Sequence, residues 1–339
     1  MDGESVYFRC DASRAIGSGH VMRCLTLADA LSEQGWGCYF IVSEETVKIV
    51  PALSAFGHHI HNVSYSPKKA DLLIVDHYGL DARYETQARA WAEHILVLDD
   101  LADRQHDCDL LLDQTYGRQA EDYKALVPDH CEVLTGCAYA LLRPQFHEYR
   151  QQSLERRKDL SAVKRVLVSM GSTNIHDVTS KVLEGLALYN GGPLEIDVVL
   201  GSDAFAFENV EELVCRLNVE TPHMAHLHKA VENMAEMMSQ ADIAFGCGGT
   251  TSWERCALGL PSLLITVADN QNFITSMLKK AGACIHLGRH DQVSAEDIAC
   301  SIGRLHDAPA ECAALSRSSS ALCDGLGARR TVENIVSLL

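Results

Sequence analysis

Short apolar runs recur along the chain, each closing on a polar turn that leads into apolar residues at helical spacing. That rhythm of strand, turn and helix predicts an α/β protein built on parallel sheets. Val6, Tyr7 and Phe8 read as a buried first strand, and Val21, Leu25, Leu27, Ala28 and Leu31 as the apolar stripe of the helix that follows. Residues 38–42, 72–75, 95–98 and 110–112 read as further strands. The last three end in Asp76-His77-Tyr78, Asp99-Asp100 and Asp113-Gln114, a polar rim along one sheet edge, where open α/β sheets take their ligands. At least one of Asp76 and Asp81 is expected to cap the helix carrying Tyr84 and Ala88.

The pattern restarts at residue 165. A strand over 165–169 runs into Gly171-Ser172-Thr173-Asn174 and a helix over about 178–188, and residues 194–200 form the next strand. Met234, Met237, Met238 and Ala241 form a helix face read as core. A strand over 242–245 then opens into Gly246-Cys247-Gly248-Gly249-Thr250-Thr251-Ser252-Trp253-Glu254. A helix stopping at Gly259 and Pro261 follows, and a strand over 262–267 delivers Asp269, Asn270 and Gln271 to the same rim. With 339 residues, two like domains are expected: 1–144, and 165–339 after a linker over 145–164. The charged run there, with Arg150, Arg156, Arg157 and Lys158, reads as a solvated helix or domain connection.

Three turns carry candidate chemistry. In Ile16-Gly17-Ser18-Gly19-His20, Gly17 and Gly19 let the backbone turn sharply at a helix start, an arrangement suited to an anion. His20 at its mouth is either a general base or a residue that orients the turn. A dinucleotide fingerprint fails because Met22 holds its third glycine position. The second turn, with Gly171 and Thr173, repeats the arrangement. In the third, Gly249, Thr250 and Thr251 offer donors to a diphosphate, and Glu254 is either an acceptor for ribose hydroxyls or the acid of a capping box. The histidines at 58, 59 and 61 and at 223, 226 and 228 have no acid or thiol at ligand spacing, so no metal site is expected.

Composition narrows the ligand. A net charge of −17 argues against nucleic acid or acidic lipid as partner, while leaving room for a small anion held by backbone donors. No apolar run approaches the ~18 residues of a membrane span, and the N-terminus lacks a secretory pattern, which gives the expectation of a cytoplasmic protein. The 13 cysteines are odd in number, contain no C-x-x-C and read as reduced, mostly buried thiols.

The stretch GCGGTTSWERCALGLPSLLITVADNQ is similar to the nucleotide-sugar domain of GT-B-type proteins, including the transferase that adds N-acetylglucosamine to the peptidoglycan lipid. FRCDASRAIGSGHVMRCLTLADAL, IVDHYGLD, VLDDLADRQHDCDLLLDQ, GCAYALLRPQF, VSMGSTN and ADNQ together resemble the UDP-2,4-diacetamido-2,4,6-trideoxy-β-L-altropyranose hydrolases of pseudaminic acid synthesis. The resemblance implies a GT-B-like fold of two Rossmann-like parallel-sheet domains facing a central cleft. It implies a UDP-sugar as the small-molecule partner, no cofactor, no required metal, and release of UDP by water with inversion at the anomeric carbon. Carried over, His20 activates water, Tyr78 and Asn270 border the sugar, and Glu254, Thr250 and Thr251 hold UDP. Asp11 would fix the first loop or His20. The chain departs from that pattern at Met170-Gly171-Ser172-Thr173-Asn174, where a second glycine and a terminal acid are expected.

Overall fold

The computed structural model describes residues 4–13, 16–55, 57–158, 160–171, 174, 176–201, 204–229, 231 and 233–339. Its first strand, β1 (Ser5–Cys10), alternates faces: Val6, Phe8 and Cys10 pack with the helix α1 (Gly19–Ser32), while Tyr7 joins the core on the other side. The chain continues through β2 (Gly37–Val42), α2 (Glu44–Ile49), α3 (Ala52–Ala55), β3 (His59–Asn62), β4 (Ala70–Asp76), α4 (Ala82–Ala88), β5 (Ala92–Leu98), β6 (Leu110–Asp113) and β7 (Glu132–Thr135). These strands form one parallel sheet in the order β3-β2-β1-β4-β5-β6-β7. Leu72, Ile74, Leu96 and Leu98 point to the α1 side, and Leu73, Val75, Ile95 and Val97 to the other, so the central strands are apolar throughout because both faces are covered.

After α5 (Pro144–Glu148) and α6 (Arg150–Lys158) come β8 (Arg165–Ser169), α7 (Val178–Leu188), β9 (Glu195–Leu200), α8 (Phe207–Glu220), β10 (Met224–Lys229), α9 (Met234–Gln240) and β11 (Ile243–Gly246). Then follow α10 (Thr251–Ala257), β12 (Ser262–Thr266), α11 (Gln271–Lys280), β13 (Ile285–Arg289), α12 (Ala295–Asp307), α13 (Pro309–Ser320) and α14 (Gly327–Leu338). The second sheet is also parallel, in the order β10-β9-β8-β11-β12-β13. In both sheets the strand order reverses beside the first strand, between β1 and β4 in one and between β8 and β11 in the other. Such switch points open a crevice at the carboxyl ends of the strands.

The chain divides into a unit of residues 1–143 with 326–339, and a unit of residues 144–325. This corrects the expected boundaries twice. The last helix, assigned from sequence to the second domain, returns to the first unit, where Ala328, Val332 and Ile335 join the α1-side core. The expected linker over 145–164 is part of the second unit, and its arginines do structural work there. Arg157 is 2% exposed and donates to the carbonyls of Ser153, Leu258, Met238 and Ala241 and to the Ser153 hydroxyl. Arg150 donates to the carbonyls of Ala257, Cys323 and Ser320. Carbonyls at the ends of α9, α10 and α13 thus find donors on α6, and the negative helix ends offset the guanidinium charge. A solvated helix and a stapling helix share this composition, which is why the sequence did not separate them.

Burial still pulls the Arg157 guanidinium down to about 9, leaving it charged at neutral pH. Arg157→Met, which keeps the bulk and removes five donated hydrogen bonds, is expected to destabilise the second unit by about 2–4 kcal/mol through orphaned buried carbonyls. Denaturant unfolding measures it, and an unchanged midpoint would contradict the assigned role.

Candidate functional site

At the switch point of the first sheet, Cys10 at the end of β1 pairs in register with Asp76 at the end of β4. The chain leaving β1 makes a turn in which the Gly17 amide donates to the Ser13 carbonyl at 2.8 Å, and α1 begins beside it with His20 in its first turn. His20 therefore faces the carboxylate that β4 delivers. Its Nδ1 is hydrogen-bonded to Asp76 Oδ1. Arg23, one helical turn on, grips the same carboxylate with two donors, Nε to Oδ2 and a terminal nitrogen to Oδ1, both at 2.6 Å. The Cys24 thiol donates to Oδ2 at 3.6 Å.

The Asp76 side chain is fully buried. Burial opposes its charge, but Arg23 and then His20 outweigh that and hold the carboxyl well below the usual carboxylate range. An ionised Asp76 can only accept, so His20 donates to it a proton carried on Nδ1. Tyr78 packs edge-on against the His20 ring, centroids 4.4 Å apart, and its hydroxyl donates to Asp100 Oδ2 at 3.4 Å, which also takes Arg23 at 3.2 Å. His20, Asp76, Arg23, Tyr78 and Asp100 thus form one hydrogen-bonded group. The histidine side chain is 7% exposed.

Asp11 lies outside this group. Its carboxylate accepts from the Ser43 amide, the Thr46 hydroxyl and Arg9, and pairs with His77. Burial opposes ionisation there, and His77, Arg9 and the Ser43 amide outweigh it, so the carboxyl sits well below its usual range. Of the two sequence alternatives, the structure gives Asp11 the loop. Asp81, not Asp76, caps α4, accepting from the Arg83 amide at 3.0 Å. The polar rim continues beyond Asp100: the Tyr123 hydroxyl lies 2.9 Å from Asp99 and 2.8 Å from Asp113. A phenol has one proton for the two, and burial raises the Asp113 carboxyl.

In the second unit the loops after β8 and β11 flank the other switch point. Gly171 has a φ of +96°, a conformation side chains rarely adopt, and it lies close to Cys247, whose Sγ would be 3.7 Å from an added Cβ. Thr173 and Ser172 lie outside the described residues. Asn174 is buried at a φ of +46°. Its amide donates to the Phe205 carbonyl and Asp177, and its oxygen accepts from the amide and hydroxyl of Thr179. Two of its contacts need a donor, which an acid at this position lacks; Asn174 organises the start of α7.

Gly248 packs tightly against α11, where a Cβ would meet the Thr275 hydroxyl at 2.3 Å, whereas Gly249 borders open space. Gly249, Thr250, Thr251 and Glu254 are all half-buried. Thr250, at the N-cap of α10, makes no side-chain cap hydrogen bond. Gln271 accepts from the Val267 amide at 3.0 Å and braces the loop after β12, while Asn270 beside it is exposed. Beneath the turn lies Arg255, 2% exposed, donating to the Cys247 carbonyl and the hydroxyls of Thr251 and Ser252.

Sequence reasoning missed Asp76 as the partner of His20, and missed Arg23, Asp100 and Arg255. Arg23 was findable, since a residue three positions after His20 shares its helix face. No group of three or more His, Cys, Asp or Glu among the described residues could hold a metal ion.

No protein-family model matches the chain. Over 186 residues, 53% of its length, it is 31% identical to the UDP-2,4-diacetamido-2,4,6-trideoxy-beta-L-altropyranose hydrolase of Campylobacter jejuni, and the match takes in 65% of that protein. Over 92% of its length it is 22% identical to the spore coat polysaccharide biosynthesis protein SpsG of Bacillus subtilis, with 91% of that protein covered. Among solved structures, MurG of Acinetobacter baumannii matches with a TM-score of 0.71 at 13% identity, over 98% of this chain and 99% of its own. The fold is therefore GT-B-like, with two Rossmann-like parallel-sheet units.

Proposed function

We propose that this chain hydrolyses UDP-2,4-diacetamido-2,4,6-trideoxy-β-L-altropyranose to the free sugar and UDP, a step of pseudaminic acid biosynthesis. The observation that carries the reading is His20 held through Nδ1 by the buried Asp76–Arg23 pair at a sheet switch point. The partial match to the Campylobacter jejuni hydrolase supports the substrate class.

In the proposed reaction His20 Nε2 takes a proton from water as the water oxygen bonds to the anomeric carbon. The bond from that carbon to the diphosphate oxygen breaks, and its electron pair leaves with UDP. Attack opposite the leaving group inverts the anomeric configuration. Asp76 stays ionised and stabilises the imidazolium that forms. UDP leaves readily, so the reaction does without the second carboxyl that glycosidases use to protonate a poor leaving group. Tyr78 and Asn270 border the sugar, the turns holding Gly17, Gly19 and Gly171 line the substrate, and Gly249, Thr250, Thr251 and Glu254 hold UDP. Thr173 belongs to the same reading. Gln271, whose amide oxygen braces the loop after β12, belongs to the UDP-binding set of the same reading. The reading places the reaction in the cytoplasm; among the described residues no helix is long and apolar enough to cross a membrane.

Incubating the protein with the UDP-sugar, without acceptor and with EDTA present, tests the reading. The expected result is stoichiometric release of UDP and free sugar. Release only after an alcohol acceptor is added would indicate a glycosyltransferase, and tight UDP binding with no turnover would indicate a sensor.

A further inference from the structure

We infer that Arg255 is a charge-positioning residue for a diphosphate, holding a fixed cation beneath the turn from Gly246 to Thr251. The inference rests on the proposed nucleotide-binding role of that turn.

Arg255 is 2% exposed, and among the described residues its hydrogen-bond partners include no carboxylate. Its Nε is buried without a hydrogen-bond partner. The remaining donors reach one carbonyl, of Cys247 at 2.7 Å, and two hydroxyls, of Ser252 at 3.0 Å and Thr251 at 3.1 Å. Burial accordingly pulls its guanidinium below the usual arginine range. A buried cation needs a counter-charge or a full set of acceptors.

Arg157 in the same unit shows what full compensation looks like, with four carbonyls and a hydroxyl at helix ends around it. Arg255 has fewer acceptors, and all of them belong to the turn itself or its first helical residues. Its contacts hold the Cys247 carbonyl and give Thr251 a donor, which leaves the Thr251 hydroxyl proton free to point away from the guanidinium. Its charge is left for whatever anion occupies the space beside Gly249, where an added Cβ would meet nothing within 4 Å. A monoanion or a neutral nucleoside gains little from such a charge; a diphosphate gains most, and gains more as negative charge builds on it during departure. Lying under the turn rather than in it, Arg255 acts through Thr251 and the field it sets, without touching the ligand.

The test compares uridine, UMP and UDP affinity by calorimetry for the wild-type chain, Arg255→Met and Arg255→Lys, with thermal melts confirming folding. The wild type is expected to prefer UDP over uridine strongly. Arg255→Met is expected to lose on the order of tenfold or more in UDP affinity with uridine affinity unchanged, and Arg255→Lys to keep most of the preference. Equal losses for UDP and uridine in either folded variant would overturn the inference and make the residue structural. Loss of the preference in a folded Arg255→Lys would do the same, by tying the effect to shape rather than charge. Should Arg255→Met fail to fold, Arg255→Lys and the salt dependence of wild-type UDP affinity decide: a UDP affinity as insensitive to salt as that of uridine overturns it. A wild-type chain that binds no UDP overturns the nucleotide reading itself, a result distinct from binding with unaltered selectivity in the variants.

Discussion

Turnover of the UDP-sugar is expected to fall by about 100-fold to 10,000-fold in His20→Gln, the range for loss of a positioned general base, with UDP affinity unchanged. Glutamine fills the space of the imidazole and can still hydrogen-bond to Asp76, but it cannot take a proton from water. The effect should lie in kcat and not in KM, because a group that acts only as the reaction proceeds adds nothing to ground-state binding. Single-turnover rates of UDP release, with UDP titrations on the same samples, make the comparison. A loss confined to KM would assign His20 to binding, and the turn to orientation alone.

Asp76→Asn is expected to have the second largest effect, on turnover and stability together. An amide can face His20 with its donor side, favouring the tautomer with the proton on Nε2; in a serine protease the equivalent change costs about 10,000-fold, and a loss of about 1,000-fold is expected here. Arg23, 4% exposed, would keep only Asp100 as carboxylate partner. Breaking such a buried pair costs about 3–5 kcal/mol. Combining Asp76→Asn with Arg23→Met should restore much of the stability and none of the turnover, which separates the two roles.

The pH behaviour follows from the depressed Asp76 carboxyl. Its folded value lies below the unfolded one, so its contribution to stability is complete above the ordinary carboxylate range and is lost only as pH falls through the lower folded value. As pH falls below the ordinary carboxylate range, the stability of the wild-type protein is therefore expected to drop more steeply than that of the double variant, which lacks the titrating group, as monitored by circular dichroism.

The sequence carried the fold well where strands are buried on both faces. Continuous apolar runs such as 72–75 and 262–267 lie within or close to β4 (Ala70–Asp76) and β12 (Ser262–Thr266). Strands at sheet edges were harder. β10 (Met224–Lys229) carries two of the histidines weighed as a metal group and reads as a polar stretch, because an edge strand leaves much of its surface in water. Where α14 packs depends on the whole chain's path, and no local pattern encodes it.

At the candidate site the glycine turns and His20 were legible because turn chemistry is local. Its partners were not. Asp76 stands 56 positions from His20 in the chain, and only the register of β1 against β4 brings the two together. From sequence, Asp76 and Asp81 were equivalent candidates for one cap. Likewise a buried arginine under a turn and an exposed one on a helix are written the same way, and burial alone distinguishes Arg255.

The most direct test of the proposed chemistry follows the oxygen. Turnover of the UDP-sugar in water labelled with heavy oxygen, quenched early and read by NMR and mass spectrometry, locates the new bond. Label is expected on the anomeric carbon of a free sugar whose first-formed anomer is inverted, and none in UDP. Label in the diphosphate, retention of configuration, or no free sugar without an added acceptor would contradict it.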